Sequence, residues 1–355
     1  MYGNKEIERL INAKGPSGFE QNIVKIIKDI GSKHWDKTKQ DKLGSLITIK
    51  DNKASYNLML AAHMDEVGFI VKKVDKDGFV FIEPVGGWIT NTMLSQAYII
   101  TTKTGKEYRA ISGSVPPHVL TQEQRKKPVL MEDIYLDLGV ESKDEVDKMG
   151  IEVGNMITPD NKFEVLNNKN YLSGKAFDDR IGCAILLSVQ QELSKVKNIP
   201  NIYGTFTAQE ETGLKGAKTA STIIPADLAI SIDTGVAGSL PGMTKAQADN
   251  KLGNGPLLMV LDSGHLAHPK FRKHVQKVAK KHNIPYQPDF IAGSQDGSSI
   301  TKSRAGVPSI AISIPTRYIH SHVSVIHKED YKNAVKLIVE VIKTLDDNTI
   351  KEIKS

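Results

Sequence analysis

Cysteine is almost absent from the sequence, and this scarcity excludes a fold held together by disulfide bonds. The 355 residues include a single cysteine, Cys183, which cannot form an internal disulfide. It falls within residues 181–189, a run with helical periodicity, and we interpret it as a small hydrophobic residue packed in the core. Stability must therefore come from buried apolar side chains, for which an apolar content of 39% is ordinary.

Long hydrophobic runs are also missing. A membrane-spanning helix needs roughly 18 or more consecutive apolar residues, and no run in the sequence approaches that length. Residues 1–9 are rich in charge and lack the apolar core of a secretory signal. We therefore expect a cytoplasmic protein without a membrane partner.

The charge distribution lacks the basic stripe of a nucleic-acid-binding protein. The formal net charge is +6, but basic residues are interspersed with acidic ones along the chain. The densest basic group is Arg125, Lys126 and Lys127, which falls in a predicted loop and is interpreted as solvated surface. Phosphate-binding glycine loops, internal repeats and low-complexity tracts are missing as well. We therefore expect no nucleic-acid partner.

The most informative feature that is present is a pair of adjacent glutamates, Glu210 and Glu211. They come directly after residues 201–208, which read as a β-strand. Two neighbouring anions after a hydrophobic strand repel each other, and a bound cation is the simplest compensation. Further acidic or imidazole side chains that could join them are His63, Asp65, Asp178, Asp233 and His320.

Several of these side chains follow apolar, β-branched segments. His63, Asp233 and His320 come at or shortly after the ends of residues 58–62, 228–232 and 309–314. Because the carboxyl ends of parallel strands share one edge of a sheet, residues far apart in sequence can meet there. Two imidazoles and several carboxylates are the donors expected for zinc or a similar pair of first-row ions, with one carboxylate free to bridge.

Each short motif is weaker evidence for a metal site alone than in combination with the others. Side chains alternate along a strand, so Asp65 can lie on the same side as His63 and orient its imidazole through the far nitrogen. Asp178 begins a predicted helix, where exposed amide hydrogens favour a carboxylate, but for this motif alone an ordinary N-cap with an ion pair is the better explanation. Of the two close histidines His320 and His322, we expect one to bind metal and the other to support it or to face solvent.

The pattern of elements predicts an α/β fold with a β-rich insertion. Ser17 and Glu20 form a capping-box pattern before a helix with apolar residues on one face. Two hairpins are predicted, formed by residues 69–74 with 79–83 and by residues 98–102 with 108–111. Alternation of helices and strands resumes at Asp178 and continues to a final helix that includes residues 331–345. We therefore expect one α/β domain from residues 1–66 and 164–355, with residues 67–163 inserted.

Four motifs, in order, resemble those of one family of dinuclear metallo-aminopeptidases, which includes the glutamyl aminopeptidases and the tetrahedral aminopeptidases. The motifs are AHMDEVG at residues 62–68, KAFDDR at 175–180, QEETGLKGA at 209–217 and TRYIHS at 316–321. The resemblance covers essentially the whole chain. One segment departs from it: GSQDGSS at residues 293–299 matches the family's usual GGTDA segment at some positions only, which leaves the pocket near Asp296 open.

The resemblance implies a role for each candidate residue. His63 and Asp233 would bind one divalent ion, Glu211 and His320 would bind the other, and Asp178 would bridge the two. Zinc or cobalt are the expected metals, with manganese as a third candidate. Glu210 would act as the general base and Asp65 would position His63. A cis peptide bond between Asp178 and Asp179 is implied as well.

The resemblance also implies a fold and an assembly. The catalytic domain would be phosphorylase/hydrolase-like, with a mixed sheet flanked by helices, and the barrel-like insertion would mediate dimerisation and oligomerisation. Dimers would assemble into a hollow tetrahedral dodecamer. The implied activity is release of N-terminal residues from short peptides with a free N-terminus.

Three other functions compete with this prediction. A related dinuclear hydrolase, either an N-acyl amino-acid deacylase or a carboxypeptidase, would not require a free N-terminus. A glycosidase needs two carboxyl groups about 5 to 9.5 Å apart across a sugar bond, and it would leave the histidines without a role. A non-catalytic assembly protein would be expected to have lost some of the candidate residues, and all of them are present.

Overall fold

The computed structural model describes residues 1–355, with the exception of the side chain of Pro117. The helices are α1 Asn4–Asn12, α2 Gln21–Gly31, α3 Lys143–Met149, α4 Phe177–Leu193, α5 Lys215–Ile223, α6 Pro269–Lys281, α7 Asp296–Ile300, α8 Lys328–Lys343 and α9 Asp347–Lys354. The first strands are β1 Lys37–Gln40, β2 Leu46–Lys50, β3 Asn57–His63, β4 Gly68–Val74, β5 Val80–Val85, β6 Ala97–Thr101, β7 Glu107–Gly113, β8 Tyr135–Asp137 and β9 Met156–Pro159. The later strands are β10 Glu164–Val165, β11 Tyr171–Gly174, β12 Asn201–Thr207, β13 Leu228–Val236, β14 Leu257–Leu261, β15 Gln287–Phe290, β16 Ser309–Thr316 and β17 Ser324–His327.

The main sheet is mixed, and its centre is parallel. Its strand order is β1-β2-β12-β3-β13-β16-β14-β15. The strands β12, β3, β13 and β16 run parallel to one another, whereas β2 and β14 pair antiparallel with the outer two of them. The central strands are almost entirely buried, as expected for strands covered on both faces. Their carboxyl ends therefore lie together at one edge of the sheet.

Amphipathic helices cover this sheet. Helix α4 packs against β3, β13 and α8, and its buried residues include Ile181, Ile185 and Val189, as their spacing predicts. The sequence-based prediction that α8 is the final helix is wrong. The Asp346 side chain accepts a hydrogen bond from the Thr349 amide and begins one further helix, α9. Among the described residues, no helix combines the length and apolar character needed to cross a membrane.

The insertion contains a closed barrel with the strand order β4-β5-β8-β7-β6-β9. Both predicted hairpins are confirmed, as β4 with β5 and as β6 with β7. The barrel has an apolar core of its own, in which Phe69 packs edge-on against Tyr98 with ring centroids 5.6 Å apart. A separate small sheet, β10-β11-β17, lies outside the barrel. The expected fold class, an α/β unit with a mixed sheet and an inserted β barrel, is thus confirmed.

Candidate metal centre and catalytic site

The candidate residues meet at the carboxyl edge of the parallel strands. His63 is the last residue of β3, Glu210 and Glu211 follow β12, and His320 lies in the loop after β16. The position of Asp233 differs slightly from the prediction. Strand β13 does not end before this residue but continues to Val236, so Asp233 projects from within the strand.

Asp178 lies between the two imidazoles. Its Oδ1 atom is 3.0 Å from His63 Nε2, and its Oδ2 atom is 3.3 Å from His320 Nε2. His320 Nε2 is also 3.3 Å from Glu211 Oε1, and His63 Nε2 is 3.9 Å from Asp233 Oδ1. The two oxygens of one carboxylate therefore face two separate sets of donors, which is the arrangement of a bridging ligand.

The donor atoms form two overlapping groups. In the first, His63, Asp178 and Glu211 offer atoms within 4.8 Å of one another, and in the second His63, Glu210 and Asp233 do so. Glu211 Oε1 is buried without a hydrogen bond of adequate geometry, although His320 lies beside it. Imidazole and carboxylate donors at this spacing suit a divalent first-row cation.

The shifted pKa values of the cluster also indicate that it would bind positive charge. Burial, followed by repulsion from neighbouring carboxylates, raises the pKa of both Glu210 and Asp233 well above the ordinary range. Although burial opposes it, hydrogen bonding with Asp178 and Glu211 raises the pKa of His320 to about 11. A cluster that holds protons this strongly has an excess of negative charge. Bound divalent cations would neutralise that charge in place of the protons.

Asp65 is fully buried and organises the backbone around the two glutamates. Its carboxylate accepts hydrogen bonds from the Glu210 amide at 3.0 Å and from the Glu211 amide at 3.1 Å. His63 Nδ1 lies 3.1 Å from the Asp65 carbonyl oxygen and 3.5 Å from its Oδ1 atom. Asp65 therefore contacts the far nitrogen of His63 mainly through its backbone and fixes Glu210 and Glu211 through its side chain.

Ser17 and Glu20 belong to this site, and the sequence pattern suggested a different role for them. The predicted capping box is wrong, because α2 begins after Glu20 without a side-chain cap. The Ser17 hydroxyl instead donates to Asp65 Oδ2 at 2.5 Å. Glu20 Oε1 accepts from the amides of Gly18 at 2.8 Å and Gln209 at 3.0 Å. These contacts join the segment before α2 to the segment that contains the glutamates.

A buried ion pair stabilises the same region, and the sequence analysis did not predict it. Lys175 Nζ lies 2.7 Å from each carboxylate oxygen of Glu66, and both side chains are buried. The fully buried guanidinium of Arg180 donates to backbone carbonyls, including those of Leu10 and Gly15 at 3.0 Å. These three charged residues lie inside two of the motifs, at residues 62–68 and 175–180, and that placement was the available sequence signal. The motifs do not reveal which groups the charged side chains contact.

The remaining predictions concern three neighbours of the centre. His320 faces the cluster, whereas His322 is buried and packs edge-on against Tyr98 of the barrel at 5.3 Å. The peptide bond between Asp178 and Asp179 is cis, as expected. Asp296, at the segment that departs from the family pattern, is buried and accepts a hydrogen bond from the Thr207 hydroxyl at 2.5 Å.

A cavity of about 690 Å³ opens beside the candidate metal ligands. One part of its wall is formed by the cluster itself. A second part is formed by Val236, Met259, Asp289, Phe290 and Ile291, together with Gly293, Ser294 and Gln295 from the departing segment, and residues 87–89 of the insertion also line the cavity. The volume lies in the range typical of sites for small molecules.

These features define a class of protein: a metal-dependent peptidase built on a mixed α/β sheet with an inserted barrel. Residues 44–337 match the family model described as M42 glutamyl aminopeptidase, and the chain belongs to this family. The expectation from the four motifs is thereby confirmed. The chain is a hydrolase of the aminopeptidase type, and its family membership implies the use of divalent metal.

The relatives of the chain include aminopeptidases with different named preferences. It is 35% identical to the putative aminopeptidase FrvX of Escherichia coli, over 96% of this chain and 94% of the relative. Identity is 31% to the lysyl aminopeptidase of Pyrococcus furiosus, over 96% of this chain and 97% of the relative. Identity is 30% to the glutamyl aminopeptidase of Lactococcus lactis, over 99% and 98%.

Solved structures agree with the fold along the whole chain. The TET aminopeptidase from the marine sediment archaeon Thaumarchaeota archaeon SCGC AB-539-E09 superposes with a TM-score of 0.96 at 36% identity, covering 98% of both chains. The TET1 peptidase of Pyrococcus horikoshii superposes with a TM-score of 0.87 at 27% identity, over 96% of this chain and 99% of that one. That second protein is described as assembling into a tetrahedron or a large octahedral shell.

Proposed function

We propose that this chain is a dinuclear aminopeptidase that removes residues one at a time from the N-terminus of short, unblocked peptides. The observation that carries the proposal is the position of the Asp178 carboxylate, whose Oδ1 atom lies 3.0 Å from His63 Nε2 and whose Oδ2 atom lies 3.3 Å from His320 Nε2. A single ion would leave one of the two imidazoles without a metal. The proposed ligands are His63 and Asp233 for one ion, Glu211 and His320 for the other, and Asp178 as the bridge.

The metals would supply the activation of water. Two bound divalent ions lower the pKa of a shared water and polarise the scissile carbonyl group. Zinc and cobalt suit the mixture of imidazole and carboxylate donors best, and manganese is the third candidate. We therefore propose two divalent ions in each subunit.

Glu210 is proposed as the general base. It lies in the second donor group with His63 and Asp233, and it is nearly fully buried. Asp65 fixes its backbone amide at 3.0 Å, so the side chain starts from a defined position. The Glu210 carboxylate would accept a proton from the attacking water and deliver it to the leaving amine.

The free α-amino group of the substrate is proposed as a recognition element. The buried carboxylates of the cluster attract a cationic or metal-binding amine, and this places the first peptide bond beside Glu210. Acetylation makes that nitrogen an amide, which is neither charged nor able to coordinate a metal as an amine does. Blocked peptides should therefore not be cleaved.

The experiment compares a free peptide with its N-acetylated copy, using metal-free protein to which zinc, cobalt or manganese is restored. Mass spectrometry over time should show a ladder of products that lose residues from the N-terminus, and only from the free peptide. Release of the acetyl group or of C-terminal residues would overturn the proposal in favour of a deacylase or a carboxypeptidase. Internal fragments from the blocked peptide would indicate an endopeptidase.

Assembly is proposed for the insertion at residues 67–163, with residues 1–66 and 164–355 forming the catalytic domain. Two strongly exposed apolar side chains of the insertion, Val119 and Leu130, are suited to a subunit contact. By analogy with the shells described for the Pyrococcus horikoshii peptidase, dimers would assemble into a tetrahedral dodecamer. Cytoplasmic location stays a prediction from the sequence.

A further inference from the structure

One carboxylate in the cavity wall takes no part in the proposed metal centre. Asp289 lies on β15, is 5% exposed and pairs in register with Met259 of β14. Its Oδ1 atom accepts a long hydrogen bond, 3.3 Å, from the side-chain amide of Asn250. Its Oδ2 atom is buried and has no hydrogen-bond partner among the described residues. A buried carboxylate oxygen without a partner is costly unless a ligand satisfies it.

The position of Asp289 relative to the metal ligands follows from strand geometry. Gly235 is two residues beyond Asp233 on β13, so the two positions face the same side of the sheet, about 6 to 7 Å apart. A Cβ atom on Gly235 would lie 2.5 Å from Leu257 Cδ1 and 3.2 Å from Asp289 Oδ2, so glycine leaves room here for both side chains. Asp289 Oδ2 therefore lies beside β13, two residues beyond the proposed ligand Asp233. A side chain with a four-carbon stem spans a distance of this order.

The rest of the wall suits the stem of such a side chain. Val236, Met259 and Ile291 give this part of the cavity apolar surface, against which methylene groups can pack. Among the described side chains that line the cavity there is no lysine or arginine. An acidic substrate side chain would therefore find no cation here and would be repelled by Asp289.

We propose that Asp289 selects lysine or arginine as the N-terminal residue of the substrate, by accepting a hydrogen bond from its cationic group. The inference rests on the proposed function. The relatives of the chain include both a lysyl and a glutamyl aminopeptidase, and we infer that this chain prefers a basic N-terminal residue. Burial raises the pKa of Asp289 to about 6, and a bound substrate cation would favour its ionised form.

The test uses two substrates that differ mainly in charge: the anilides of lysine and of norleucine, whose side chains have similar length and shape. The metal-loaded enzyme should cleave the lysine substrate with a kcat/KM at least roughly ten-fold higher, as expected for a buried charge-assisted hydrogen bond. In Asp289→Asn the ratio of the two kcat/KM values should fall about ten-fold or more. The glutamate anilide should be a poor substrate of the wild-type enzyme.

Asp330→Asn provides the matched control, because Asp330 is also a buried aspartate but bonds to the backbone amides of Gly253 and Gly255. This control should keep the wild-type ratio. A wild-type enzyme that prefers norleucine or glutamate would overturn the proposal, even if Asp289→Asn failed to fold. An unchanged ratio in folded Asp289→Asn would overturn it as well. Failure to cleave any free aminoacyl substrate would instead contradict the proposed function, so the two failures are distinguishable.

Discussion

At the residue scale, the site depends on contacts that connect its ligands to distant parts of the chain. Asp65 is the clearest case, since its carboxylate accepts from two backbone amides and from the Ser17 hydroxyl. Four of the five proposed metal ligands were identifiable because they sit in recognisable motifs, whereas Asp233 was identified from its position after an apolar run. Ser17 was not, because its local pattern with Glu20 matches a capping box, and its actual partner is 48 residues away. A local pattern cannot distinguish a local hydrogen bond from a distant one.

Substitutions of the two adjacent glutamates should have different effects on turnover and on metal binding. Glu210→Gln should leave metal content close to that of the wild type and lower kcat by roughly two orders of magnitude or more, because the amide cannot accept the proton. Glu211→Gln should instead weaken the binding of one metal, since it removes a charged ligand. Metal content by mass spectrometry and kcat should be measured on both variants. The assignment of roles is wrong if the two variants lose metal equally.

Ser17 should behave as a positioning residue. Ser17→Ala removes a 2.5 Å hydrogen bond to Asp65, so the amides of Glu210 and Glu211 are held less firmly. We expect kcat to fall roughly three- to ten-fold, a part of what a hydrogen bond to a charged group is worth, with KM and metal content unchanged. Ser188→Ala is the control, because its hydroxyl pairs with Tyr331 at 2.7 Å in the core. A similar loss of kcat in both variants would indicate a general effect of lost stability.

At the element scale, periodicity and apolar content predicted the type of most strands and helices near the site. The buried runs of β3, β12, β13 and β16 were recognisable because parallel central strands are apolar on both faces. The residues at which these strands end were predicted less accurately. Strand β13 continues through Asp233 to Val236 because it stays paired with β16 as far as Thr316. Pairing with a neighbour determines where a strand ends, and the partner is not visible in the strand's own sequence.

The start of α8 should give the stability of the fold a pH dependence. Asp330 is completely buried in the first turn, and burial raises its pKa to about 7 even though the amides of Gly253 and Gly255 donate to it. A folded pKa above the unfolded value of about 3.9 means that the folded state holds the proton more strongly. The contribution of Asp330 to stability is therefore fully present below about pH 4 and is lost as the pH rises to about 7.

The measurement is the melting temperature of metal-free wild-type protein and of Asp330→Asn across this range. Asparagine cannot ionise, so the wild type should lose stability relative to the variant as the pH rises from about 4 to 7, with little further change above it. Taking the difference between the two proteins removes the titration of the other carboxylates. A difference that stays constant across the range would contradict the raised pKa of Asp330.

At the scale of the whole molecule, the pattern of elements predicted a β-rich insertion, whereas its barrel-like closure was implied only by the family resemblance. The hairpins β4-β5 and β6-β7 are local and have clear turn signals. Closure of the barrel requires β9 to pair with both β4 and β6, and these contacts join residues 55 or more positions apart. The same limit applies to the cavity, whose wall combines β13, β14 and β15 with the loop before α7. Long-range pairing of this kind is the part of the fold that composition and periodicity leave open.

The insertion also carries the last prediction, which concerns assembly. Val119 is 71% exposed and Leu130 is 53% exposed, so both side chains are accessible to a neighbouring subunit, and covering them would remove apolar surface from water. We expect the wild type to elute as an assembly of many 39.0 kDa chains, with twelve copies as the proposed number. The double variant Val119→Asp, Leu130→Asp should place charges in the contact and shift the mass toward dimers or monomers, measured by light scattering after size-exclusion chromatography. Ile223→Asp, at a 43% exposed position on α5, is the control and should keep the wild-type mass. A double variant that retains the full mass would show that these side chains lie outside the contacts that build the shell.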